Sequence, residues 1–166
     1  MTLDNILEKI KKAKSIVLLT HENPDGDAVG SSLAMYEALK QMGKENVDVI
    51  IPEYPRTYTF LPNVDKVKKE GREENYDLAI ALDSATIKML NGWSNYFEEA
   101  KTKIVIDHHS TNTMYGDLNY VNPDSQACTQ ILLTIFEYFG IEITNEIGKC
   151  ILTGIITDTG GFRYSG

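Results

Sequence analysis

The 166-residue chain is poor in cysteine, with two, and in tryptophan, with one; it holds three histidines, and its basic side chains fall short of its acidic ones, sixteen against twenty-four. Cys128 and Cys150 are too few and too far apart for a disulfide framework or a thiolate metal site, which suits a reducing cytoplasm. No apolar run approaches the length of a membrane span, and the opening MTLDNILEKIKKAK reads as an amphipathic helix without a signal-peptide core. A formal charge of −8 argues against holding duplex nucleic acid on a basic face, because such binding neutralises phosphates with Lys and Arg. No P-loop or dinucleotide fingerprint is present, so nucleoside-triphosphate and NAD chemistry have no support.

What is there is an ordinary globular composition, 42% apolar and 24% charged, of a length that fits one domain. Short apolar runs alternate with segments of helical period. SIVLLT (15–20), VDVII (47–51), YDLAIALD (76–83) and TKIVIDHH (102–109) read as strands. The segments 30–43, 128–140 and 146–158 read as helices, with a weaker one over 93–100. The Pro-rich stretch 52–63 reads as irregular loop, and the charge-rich 66–75 as a solvated connector. Strands that are near-continuous Val/Ile/Leu runs are buried on both faces, which predicts an α/β fold: a doubly wound, mainly parallel sheet flanked by helices.

Three of these strands run into polar clusters. SIVLLT leads to His21, Asp25 and Asp27; LAIALD ends on Asp83; KIVID leads to Asp107, His108 and His109. Ligands of open α/β sheets bind beyond the carboxyl ends of the strands, so the three clusters are expected to converge. All three histidines of the chain fall in these places. Asp158, in GIITDTGG, is predicted at a helix C-terminus, where the helix dipole disfavours a carboxylate and a cation would offset the cost. Asp25, Asp27, Asp83 and Asp158 brought together would repel unless cations bound, and two divalent ions match their four charges. A donor set of imidazole and carboxylate without thiolate favours Mn²⁺; Mg²⁺, Fe²⁺, Co²⁺ and Zn²⁺ also fit. Such a pair, ~3.5–4 Å apart, polarises phosphoryl oxygens and activates water. Gly26 is expected to let the backbone bend between Asp25 and Asp27. The GSS at 30–32 reads equally as amides approaching an anion at a helix start or as close packing. Trp93 and Tyr54 have the chemistry to stack on a base, and no sequence pattern requires it.

The segments HENPDGDAVGS (21–31), ALD (81–83), DHH (107–109) and TDTG (157–160) resemble, in order and spacing, the four motifs of the DHH phosphoesterases. The family includes RecJ-type exonucleases, nano-RNases that also cleave adenosine 3′,5′-bisphosphate, cyclic-dinucleotide phosphodiesterases and family II inorganic pyrophosphatases. The forms NPDGDAVGS and TDTGGFRYS are most similar to the nano-RNase branch. The resemblance implies that His21, Asp25 and Asp83 hold one Mn²⁺. Asp27, Asp83, His108 and Asp158 would hold the other, with Asp83 bridging. It implies that His109 faces the substrate phosphate as hydrogen-bond donor or general acid, and that Asp107 orients an imidazole from behind. Arg163 is the arginine nearest the motifs and a candidate phosphate contact.

The expected activity is two-Mn phosphodiesterase or phosphatase chemistry on short oligonucleotides, dinucleotides or 3′-phosphoadenosine 5′-phosphate. A family II-like pyrophosphatase or exopolyphosphatase is the alternative within enzymes. Members of the nano-RNase branch carry a second, C-terminal DHHA1-type domain that grips the substrate, and nothing in residues 1–166 resembles it. The chain is therefore read as the DHH domain alone, and a third reading is a metal-binding, dimer-forming fragment with little activity of its own.

Overall fold

A computed structural model describes residues 2–160. Among them the strands β1 (Ile16–Thr20), β2 (Val47–Ile50), β3 (Leu78–Leu82), β4 (Thr102–Asp107) and β5 (Leu118–Val121) form one sheet of order β2-β1-β3-β4-β5. Every pairing is parallel. β1 and β3 are buried along their whole length, as their unbroken apolar sequences require. β5 is half-buried throughout and its polar-interrupted LNYV gave no strand signal, so this edge strand was not anticipated.

Helices α1 (Thr2–Lys12), α2 (Gly26–Gln41), α4 (Cys128–Phe139) and α5 (Asn145–Thr159) share a core with one face of the sheet, built on Ile16, Leu18, Ile80, Leu82, Ile104 and Ile106. The alternate residues Val17, Leu19, Ala79, Ala81 and Val105 pack on the other face with Leu90 and with Phe97 of α3 (Ser94–Glu98). That alternation is the period-2 geometry of a strand covered on both sides. Leu3, Ile6 and Ile10 give α1 its buried stripe. No helix of the described residues is long and apolar enough to cross a membrane.

Helix α2 starts four residues before the sequence reading places it. Asp25 is its N-cap, accepting the Ala28 N–H at 2.9 Å, so what reads as loop is already helix. Gly30, Ser31 and Ser32 consequently lie buried inside α2 rather than at its opening. At Gly30 the reason is packing, since a Cβ there would stand 2.5 Å from the Cys150 carbonyl oxygen of α5, while the Ser31 and Ser32 hydroxyls donate to the Ala28 carbonyl within α2. Nor does Gly26 act as a bend. It is helical, and its missing side chain makes room for Thr157, whose hydroxyl oxygen lies 2.4 Å from where a Cβ would sit.

The chain leaves β1 toward β2 on one side, and β3, β4 and β5 build outward on the other. The order reverses between β1 and β3, and the crevice beyond their carboxyl ends is the topological switch point.

Candidate metal centre

Thr20 closes β1 and donates its hydroxyl to the Leu82 carbonyl at 2.8 Å, tying the ends of β1 and β3 together. His21 follows. Its Nδ1 lies 2.8 Å from the Glu22 carbonyl, which can only accept, so Nδ1 carries the proton and Nε2 is left facing inward. Nε2 stands 3.6 Å from Asp83 Oδ2 and 3.9 Å from Asp25 Oδ1.

Asp83 directly follows β3 with φ of 60°, a left-handed conformation that Asp and Asn tolerate better than most residues. Its two oxygens look in different directions. Oδ2 faces His21, while Oδ1 lies 3.2 Å from His108 Nε2. That same His108 nitrogen is 3.2 Å from Asp158 Oδ2 and 3.6 Å from Asp27 Oδ2. Asp27 is wholly buried, and its carboxylate accepts the N–H groups of Cys128 (2.7 Å) and Thr129 (3.0 Å) at the start of α4. A helix N-terminus is where a buried carboxylate is best tolerated. Asp158 reaches the site from the last turn of α5.

Two sets of donor atoms therefore form, each with its atoms within 4.8 Å of one another: His21, Asp25 and Asp83 in one, Asp27, His108 and Asp158 in the other, with Asp83 also reaching His108. Among the described residues, Asp83 Oδ1 and His108 Nε2 are buried without a hydrogen-bond partner, although 3.2 Å apart. Buried polar atoms are normally satisfied, so a pair of orphaned ligand-type atoms aimed at the same space fits a bound cation. Asp107, His108 and His109 also come close to Asp83, but Asp107 is engaged elsewhere. Fully buried, it accepts from His109 Nδ1 at 2.7 Å and from the Asn112 side-chain amide at 2.8 Å. Asp107 thus orients His109 and not His108. The half-exposed His109 keeps its outer nitrogen free of that bond. Asn112, which also approaches the Ser84 carbonyl at 3.3 Å, carried no signal in the sequence. Arg163 lies outside the described residues.

The carboxylates and imidazoles of the cluster shift one another's pKa. Burial alone would depress His108, but the carboxylates of Asp158, Asp83 and Asp27 around it push its pKa up to about 11. His21 is likewise opposed by burial and raised to about 9 by Asp83 and Asp25, with help from the Glu22 carbonyl. Asp107 lifts His109 against the opposing effect of burial. Burial works to raise Asp83, and the two imidazoles overcome it, holding its carboxyl below the usual range. Asp27 goes well above the usual range through burial and then the charges of Asp83 and Asp158, despite its backbone donors. Raised histidines stabilise the fold fully below their unfolded pKa near 6.5, and that stability is lost as pH rises through the folded values. In a chelating buffer, the melting temperature is accordingly expected to fall as pH rises from about 6.5 toward 9. Added Mn²⁺ should remove most of that fall by replacing the protons, and a thermal-shift series at several pH values with and without Mn²⁺ checks it. A flat chelator profile would contradict the charge arrangement described.

A wholly parallel α/β sheet with a carboxylate–imidazole cluster at its switch point defines a class of protein built to hold cations beside a ligand crevice. Within that class, the chain belongs to the DHH family: the family's N-terminal domain matches residues 15–155. It is 39% identical over 160 residues to a bifunctional oligoribonuclease and PAP phosphatase of Thermus thermophilus, a match covering 90% of this chain and 45% of that one. It is 27% identical over 151 residues to a probable manganese-dependent inorganic pyrophosphatase of Bacillus mycoides, covering 88% of this chain and 48% of that one. The crystal structure of an exopolyphosphatase-related protein from Bacteroides fragilis superposes with a TM-score of 0.91 at 28% identity, over 98% of this chain and 51% of that one. The chain thus spans about half the length of the relatives it matches.

Proposed function

We propose that this chain is the cation-binding half of a phosphoric ester hydrolase that acts on short oligonucleotides and on 3′-phosphoadenosine 5′-phosphate, with His21, Asp25 and Asp83 holding one divalent ion and Asp27, Asp83, His108 and Asp158 the other. The observation that carries the reading is Asp83, a buried carboxylate whose two oxygens each face a different imidazole. The relative that is an oligoribonuclease and PAP phosphatase supports the substrate class. The pyrophosphatase's name, together with a donor set lacking sulfur, favours Mn²⁺.

Divalent ions held there would supply charge against phosphoryl oxygens and acidify water. The chain's own groups do the rest. Asp107, itself held by Asn112, fixes the His109 ring and through that hydrogen bond raises its pKa, so His109 is placed to donate to a phosphate oxygen or a leaving group. Asp27 is locked by two backbone donors, which holds the buried end of the cluster rigid. The two cysteines are buried and unpaired, which accords with a reducing cytoplasm.

The test is hydrolysis with Mn²⁺ of a diribonucleotide, of 3′-phosphoadenosine 5′-phosphate and of pyrophosphate, by this chain and by a form extended to the length of its relatives. Dinucleotide cleavage that is abolished by chelator and exceeds pyrophosphate cleavage is the expected result. Preference for pyrophosphate in the extended form would overturn the substrate assignment. Among the described residues no Lys or Arg forms an ion pair with the cluster's carboxylates, which makes that preference the poorer fit to a tetra-anionic substrate.

A further inference from the structure

A cavity of about 550 Å³ has Glu22, Glu53, Tyr54, Lys69, Asn91 and Trp93 in its walls. Its size is that of a small-molecule site. One wall is the 22–24 segment, which runs directly between His21 and Asp25. A molecule with a phosphate at the cluster and its remainder in the cavity would need to cross only that segment.

The aromatic part of the cavity is held in place. The Trp93 indole N–H donates to the Thr20 carbonyl at 3.0 Å, anchoring the ring to the end of β1. The Asn91 amide donates to Glu22 Oε2 at 2.6 Å, and the Glu22 N–H donates to the Met89 carbonyl at 2.8 Å, so the wall after β3 is bound to the segment after β1. Asn91 itself takes φ 46° and ψ −121°, a sparsely populated conformation that places it between Leu90 and Trp93 without continuing the turn. Tyr54 lines the cavity from the segment after β2. Two aromatic rings in one preorganised cavity are a stacking platform. Its charge says which kind of ring. Two carboxylates, Glu22 and Glu53, against the single ammonium of Lys69 disfavour a second phosphate. They favour a neutral ring that donates N–H groups, because carboxylates only accept.

We propose that this cavity is a nucleobase subsite, selective for a base with an exocyclic amine, serving a nucleotide whose phosphate lies at the cluster. This rests on the phosphoesterase reading for the phosphate, but the cavity's own binding does not. Trp93 is the chain's one tryptophan, so its emission reports this cavity. The experiment titrates the chain, in chelator, with adenosine, cytidine, uridine and ribose 5-phosphate, and follows tryptophan fluorescence. Saturable quenching by adenosine and cytidine, weaker quenching by uridine and none by ribose 5-phosphate is expected. Tyr54→Ala should weaken adenosine binding about tenfold, the size of one stacking contact, and Tyr54→Phe should restore it. In hydrolysis by the extended form, a dinucleotide made abasic at one position should show KM raised about tenfold. That ratio should survive Trp93→Phe and collapse toward one in Trp93→Ala. Quenching without any hydrolysis supports the subsite and removes the phosphoesterase reading. Hydrolysis with no quenching and with equal KM for intact and abasic dinucleotides removes the subsite and leaves the phosphoesterase reading standing. Equal quenching by uridine and adenosine overturns the selectivity.

Discussion

Asp83→Asn is expected to lower Mn²⁺-supported hydrolysis at least about a thousandfold, the scale on which removing a preorganised charge from a reacting centre acts. Asparagine is the informative replacement. The backbone at Asp83 has φ of 60°, which Asn accepts and Ala accepts poorly, so the amide changes charge and ligand strength while keeping the strand end intact. Asp83 is 1% exposed and serves both histidines, so both imidazoles should titrate at lower pH in the variant. The check is threefold: kcat with Mn²⁺, ion stoichiometry by calorimetry, and histidine titration by NMR in chelator. Near-normal turnover with a full complement of Mn²⁺ would contradict a bridging role. Unchanged histidine titration would contradict the geometry itself.

The second large effect comes from a residue that offers no ligand atom itself. Gly154 of α5 packs so closely that a Cβ would fall 2.3 Å from Thr129 Oγ1 and 2.7 Å from Asp27 Oδ1. Gly154→Ala should cost about 2 kcal/mol, as overpacking in a tight core does. That is a fall in melting temperature of roughly 4–8 °C for a chain of this size. The displaced Asp27 should also weaken metal binding beyond what lower stability explains. Gly148, six residues earlier in the same helix, has nothing within 4 Å of its added Cβ. Gly148→Ala should therefore raise stability by roughly 0.5–1 kcal/mol through helix propensity alone. Opposite signs from the same substitution in one helix, read by thermal melts and Mn²⁺ calorimetry, test whether the α2–α5 fit sets the position of Asp27. Two equal losses would refute it.

The parallel sheet was legible because a strand covered on both faces must be apolar at every position, and IVLLT, LAIAL and IVID announce that plainly. The convergence of His21, Asp83 and His108 followed from one topological rule applied to three strand ends. The errors share a physical origin. Asp25 and Asp27 look like loop residues by polarity, yet the first caps a helix and the second is satisfied by amides of another helix, and neither partner is visible from local sequence. Gly26 and Gly30 look like turn and helix-start chemistry for the same reason, while their small size is a tertiary requirement imposed by α5. Strand β5 escaped because an edge position relaxes the demand for continuous hydrophobicity. Asn112 acts through its hydrogen bond to a buried carboxylate, and an asparagine in a polar loop carries no mark of that.

The sheet order has a last consequence, for the sequence of events by which the chain becomes native. β1 is an interior strand yet is made early, and it must wait for β3 before its second side is covered. Wholly parallel pairing makes that search slow, because each closure spans a crossover. Asp158, on α5, follows every other member of the cluster in the chain and takes its place only when α5 docks on α2. A nascent chain therefore offers an incomplete set of donors until α5 is seated, and the assembled cluster is a product of helix docking rather than a nucleus for it.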